Sequence, residues 1–137
     1  MNEPSQADDP SLQLPLPNDL ILWRRVPKEK FIRVTDADGS TRVRPSSDSF
    51  ADNSRDGSSM SVFDSLACGG LSTICEGHEG FGVVGLTVGQ IREAGLEIVR
   101  TPTGGPGHCE IVGKKTGSIK NKLVKSSSWV FVPEQTG

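Results

Sequence analysis

The chain has 137 residues, with 15 Lys and Arg against 17 Asp and Glu and a formal net charge of -2. That length suits a single domain of about 100–150 residues, and the near-balanced charge excludes binding to a polyanion through bulk electrostatics alone. Hydrophobic residues make up 34%, and the 16 Gly bring apolar usage into the globular range, while no apolar run approaches the roughly 18 residues a membrane helix needs.

Three cysteines and no basic-then-apolar leader point to reduced thiols and a cytoplasmic protein. Charge is unevenly spread, because residues 1–20 carry Glu3, Asp8, Asp9 and Asp19 with no Lys or Arg.

Residues 1–18 hold four prolines and few large apolar side chains, so they read as a disordered arm. A compact domain is expected over 19–133, with a tail at 134–137. Residues 19–26 (DLILWRRV) form the first strand, with Leu20, Leu22 and Trp23 inward, ended by Pro27. Residues 31–35 and 41–44 flank Asp38-Gly39, a hairpin signal. The expectation there sets Ile32, Val34 and Val43 against a cationic face of Arg33, Arg42 and Arg44.

The polar stretch 45–59 (PSSDSFADNSRDGSS) has one apolar anchor, Phe50. Loops beyond about 12–15 residues are often functional. Residues 60–63 form a short strand, 64–68 a turn or helix start stopped by Gly69-Gly70, 71–80 an irregular stretch, and 81–86 a buried strand. Thr87 with Gln90 is a capping-box pattern, and Gly95 stops the helix it starts. A strand at 96–100, the turn TPTGGPG, a strand at 108–112, an amphipathic helix at 118–125 and a strand at 129–132 follow. The sum is an α+β domain: a curved, mostly antiparallel sheet of short strands with two or three short helices.

Chemistry gathers around His108 and Glu110, whose spacing along a strand puts both on one face. Imidazole titrates near neutral pH, so the pair suits a general base with an orienting acid. The segment GHCEIVG resembles the histidine strand of NlpC-type and CHAP amidases, which implies Cys68 as nucleophile and His108 as its base. The order LWRRV, RPSSDSF, MSVF resembles that of RES-type and other ADP-ribosyltransferase-like domains. That resemblance implies phosphate held by Arg24 or Arg25, a hydroxyl from Ser61, and Glu110 acting at a nicotinamide ribose. Cys68, Cys75, His78, His108 and Cys109 are the soft and imidazole ligands, but paired C-x-x-C spacing is missing, so neither a metal nor a cofactor is expected.

Lys114, Lys115, Lys120, Lys122 and Lys125 go around their helix rather than forming one face, and stacking aromatics are few, so nucleic acid is not the expected partner. Over residues 20–132 the chain resembles a family of small bacterial proteins to which no activity is attached. The favoured reading is a binding or protein-interaction module whose surface lies around the 102–110 turn and the 45–59 loop. The alternative is a small enzyme built on His108 and Glu110, with Arg25 for NAD cleavage or Cys68 for hydrolysis.

Overall fold

The computed structural model describes residues 16–51 and 60–133. Its strands are β1 (Ile21–Val26), β2 (Phe31–Thr35), β3 (Thr41–Pro45), β4 (Met60–Asp64), β5 (Gly82–Thr87), β6 (Glu97–Arg100), β7 (His108–Val112) and β8 (Ser128–Phe131). Three helices accompany them: α1 (Leu71–Cys75), α2 (Val88–Glu93) and α3 (Gly117–Ser126). Six strands form an open antiparallel sheet in the order β6-β7-β4-β1-β5-β8, and β2 pairs with β3 as a separate hairpin. The domain is α+β, as expected from hairpin-forming strands with a few short helices between them: its strand pairs are antiparallel.

Period-two alternation gives the sheet two faces. One buries Leu22, Val26, Met60, Val62, Val84, Leu86, Ile98, Cys109 and Ile111 under Val88 and Ile91 of α2, Leu123 of α3 and Phe50. Each such side chain contributes about 1.5–3 kcal/mol when fully buried. The other face carries a smaller cluster of Phe63, Cys68, Ile74 and Val83, with Trp23, Leu71 and Cys75 packed against it.

The helix signals are realised as bonds. Thr87 Oγ1 accepts from the Gln90 N–H at 3.1 Å, and Gln90 Oε1 accepts from the Thr87 N–H at 2.9 Å. Gly95, at φ +91°, turns the chain out of α2 through a left-handed conformation. Thr116 caps α3 by accepting from the Ile119 N–H at 3.2 Å.

Some segments differ from the sequence expectation. The stretch expected to be irregular contains α1, whose Ile74 is buried in the smaller cluster; tertiary burial stabilises a turn too short to show a period. In the hairpin, Ile32 pairs with Arg44, Val34 with Arg42 and Arg33 with Val43. Cross-strand partners share a face, so Arg42 and Arg44 lie with Ile32 and Val34, and the uniform cationic face does not form. The parity of the loop sets this, since a one-residue change of register exchanges the faces. Of the expected arm, residues 1–15 lie outside the described residues; Leu16 is buried, and its carbonyl accepts from Arg92 of α2 at 3.0 Å. Residues 52–59 and 134–137 also lie outside them.

Candidate functional site: the fork between β1 and β4

The two central strands stay together for only part of their length. The β1–β4 ladder holds the pairs Leu22–Asp64 and Trp23–Phe63. Beyond Trp23 the strands part, and Arg24 and Arg25 stand in the gap. Alternation sends them to opposite faces, which gives neighbouring residues of identical chemistry different work.

Arg24 points to the main-core face. Its Nε donates to the Ser49 carbonyl at 2.8 Å, one terminal nitrogen to the Ser61 carbonyl at 2.7 Å, and the other to Ala51 at 3.4 Å. Ser61 lies where β4 would otherwise pair with β1, so the guanidinium replaces the missing ladder bond. The same cation holds the 3-10 turn Ser47–Phe50, whose Phe50 fills the core. Arg24 is a brace, and PSSDSF is the segment it braces.

Arg25 points to the other face. It donates to the Ile74 carbonyl at 2.8 Å, one of the terminal carbonyls that α1 leaves without a helical partner. Its guanidinium carbon sits 5.0 Å from the centroid of the Phe63 ring, a cation–π distance. Burial lowers its pKa, opposed by the negative charge Cys75 carries when ionised, and arginine remains charged throughout the physiological range. Only one of its donors is engaged among the described residues.

A cleft of about 250 Å³ opens at this fork, lined by Arg24, Arg25, Lys30, Ser61, His78 and Phe81 among others, with no carboxylate. Burial and then the Arg25 charge lower the His78 pKa, which favours a neutral ring at neutral pH. That ring meets Phe81 edge to face at 5.0 Å. Lys30 Nζ reaches the Asp48 carbonyl at 3.3 Å. Cations with spare donors and no competing acid suit one chemistry, the binding of an anion.

The remaining candidates sit along the same face. Phe63 pairs with His108 and Ser61 with Glu110 across β4 and β7, and the His108 ring packs edge-on against Phe63 at 5.4 Å. Arg25, Phe63 and His108 therefore form a chain of ring contacts. His108 Nδ1 lies 2.7 Å from Thr101 Oγ1 and 3.1 Å from the Thr101 carbonyl. Both contacts fix the orientation of the ring against Thr101 at the mouth of the 101–108 turn. Glu110 is half-buried between Ser61 of β4 and Val99 of β6.

Cys68 is placed differently. It is 1% exposed in the apolar cluster beneath Phe63, against the Gly107 backbone, and its thiol does not line the fork. Cys109 is buried on the opposite face, and burial, partly offset by Arg100, pushes its thiol up to about 11. Among the described residues no group of three or more His, Cys, Asp or Glu is arranged to hold a metal ion.

Sequence reasoning did not reach His78, Phe81 or Lys30 as a group. They come from two separate segments, Lys30 from the turn after β1 and His78 with Phe81 from the turn after α1, and only the packing of that second turn onto the sheet brings them to Arg25. The chain matches no protein-family model, no curated protein and no solved structure, so geometry carries the functional argument. No helix among the described residues is long and apolar enough to cross a membrane.

Proposed function

We propose that this domain is a binding module that holds an anionic group, phosphate or carboxylate, in the fork between β1 and β4. The observation that carries the reading is Arg25. Its guanidinium is fixed at one nitrogen by the Ile74 carbonyl and stacked on Phe63, with its other donors unengaged among the described residues in a cleft without acids. A planar fork fixed in this way loses little entropy on gripping two oxygens at once. Lys30 adds charge, and the neutral His78 ring gains a proton more easily once an anion offsets Arg25.

The test is a titration of the full chain with inorganic phosphate and, separately, acetate, followed through the His78 ring signals by NMR. Saturable binding should raise the His78 pKa, and R25A should abolish the binding while itself raising that pKa. A His78 signal that neither ligand moves would refute the reading.

A second reading is favoured by the row Arg25, Ser61, Glu110 across β1, β4 and β7. In it Arg25 grips the pyrophosphate of NAD and Glu110 orients the ribose beside the nicotinamide bond. It requires NAD consumption by the wild-type chain that E110Q removes while phosphate binding is retained. A Cys68–His108 hydrolase draws no support from the burial of Cys68.

A further inference from the structure

Beyond the Arg25 fork the sheet carries a second unpaired charge, the carboxylate of Glu110. Trp23 pairs with Phe63, so Arg25, two residues on, stands level with Ser61 on the same face, and Ser61 pairs with Glu110 of β7. Cation, hydroxyl and carboxylate thus lie in one row across β1, β4 and β7. Ser61 lines the fork cleft together with Arg25, so the row runs out of the cleft to Glu110.

The Glu110 side chain makes no hydrogen bond and no ion pair among the described residues. It is half-buried, with Val112 two residues along its strand and the exposed Val99 as its partner on β6. A carboxylate partly withdrawn from water against apolar neighbours gains more from a cation than a fully solvated one does. No such cation is at hand. His108, two residues back on the same face, is turned to Thr101, and the head of Arg25 is held by the Ile74 carbonyl over Phe63. Neighbouring strands stand about 4.8 Å apart. The lean of the guanidinium over β4 shortens the gap between the two charged heads to roughly the reach of a chain of four to six atoms.

This spacing selects among ligands. A group with negative charge alone meets Glu110 within about 8 Å, the screening length at physiological salt, and is disfavoured by it. A molecule with an anion at one end and a cation at the other is attracted at both. Glu76 and Glu79, the acids of the turn that carries His78, are exposed and lie outside the lining of the cleft.

We propose that the fork and Glu110 together bind a zwitterion, a small amino acid or a dipeptide, with its carboxylate on Arg25 and its ammonium on Glu110. This rests on the reading of Arg25 as the anion holder and adds Glu110 as the second contact.

The experiment titrates the full chain with butyrate and, separately, with 4-aminobutyrate, the same carbon chain with an added ammonium, and follows the His78 ring signals by NMR. 4-Aminobutyrate should bind at least about five-fold tighter than butyrate. E110Q keeps the shape and removes the charge, so it should bring the two affinities within about two-fold of each other. Butyrate binding retained in E110Q shows that the variant is folded. R25A should abolish binding of both ligands, and E79Q should leave the preference intact. Glycylglycine presents the same two charges through a peptide bond, and its affinity relative to 4-aminobutyrate tells a peptide ligand from a free amino acid. Butyrate binding without a preference for 4-aminobutyrate, a preference that survives in E110Q, or its loss in E79Q would overturn the inference and leave the anion site standing. Failure of both ligands to bind would remove the anion site itself, and the inference with it.

Discussion

Replacing Arg24 with alanine tests whether the fork is held as described. The side chain donates to Ser61 and Ser49 carbonyls at 2.7 and 2.8 Å, and to Ala51 at a distance too long to count for much. A hydrogen bond from a charged donor contributes about 1.5–3 kcal/mol. The site is half-buried, so water recovers part of the loss, and two bonds at the lower end give a destabilisation of about 3 kcal/mol. With a urea slope near 2 kcal/mol/M, the unfolding midpoint should fall by roughly 1.5 M. R24K should recover only part of this, because one ammonium does not span carbonyls on two segments. R25A should be milder, about 1–2 kcal/mol for one carbonyl bond and one cation–π contact. Urea unfolding followed by circular dichroism measures all three. An R24A loss below about 1 kcal/mol, or an R25A loss equal to it, would refute the assignment of one arginine to structure and the other to ligand.

Two further outcomes follow from the packing. The Cys109 thiol, raised from 9.0 to about 11 by burial, stays protonated in the folded chain after the unfolded chain has ionised. Its stabilisation is complete below pH 9 and lost as pH rises toward 11, an alkaline loss of roughly 2–3 kcal/mol. C109A, or C109S if the cavity proves too costly, should flatten that limb of the pH–stability curve, and an unchanged limb would contradict the linkage. G107A adds a Cβ that would lie 2.8 Å from the Cys68 nitrogen at a residue with φ +72°. Backbone cannot give way as a side-chain tip does, so about 3 kcal/mol and a Tm lower by roughly 10 °C are expected, and a melt within a few degrees of wild type would argue against the close approach.

Local signals carried much of the fold. Thr87 with Gln90 and Gly95 bounded α2 because each supplies a bond or backbone conformation that needs no distant partner. The alternation around Leu22 and Val26, and around Cys109 and Ile111, marked strands for the same reason: a period of two is a property of the backbone. Phe50 stood out as an anchor because it is the sole large apolar residue in a polar stretch, and it is buried at the core. His108 and Glu110 could be placed on one face from spacing alone.

What the sequence by itself determined is therefore the α+β class, most strand and helix positions, and the shared face of His108 and Glu110. Tertiary structure decided what the arginines do. LWRRV places two cations side by side, but only the register of β1 against β4 and β5 sends Arg24 to the loop carbonyls and Arg25 to Phe63 and α1. The same holds for the hairpin, where loop parity and not composition set which residues flank Arg42 and Arg44. His78, Phe81 and Lys30 joined the site only through chain crossings, and Cys68 was withdrawn from it by burial. Periodicity is local and is written in the chain, whereas register and burial depend on which distant segments pack together.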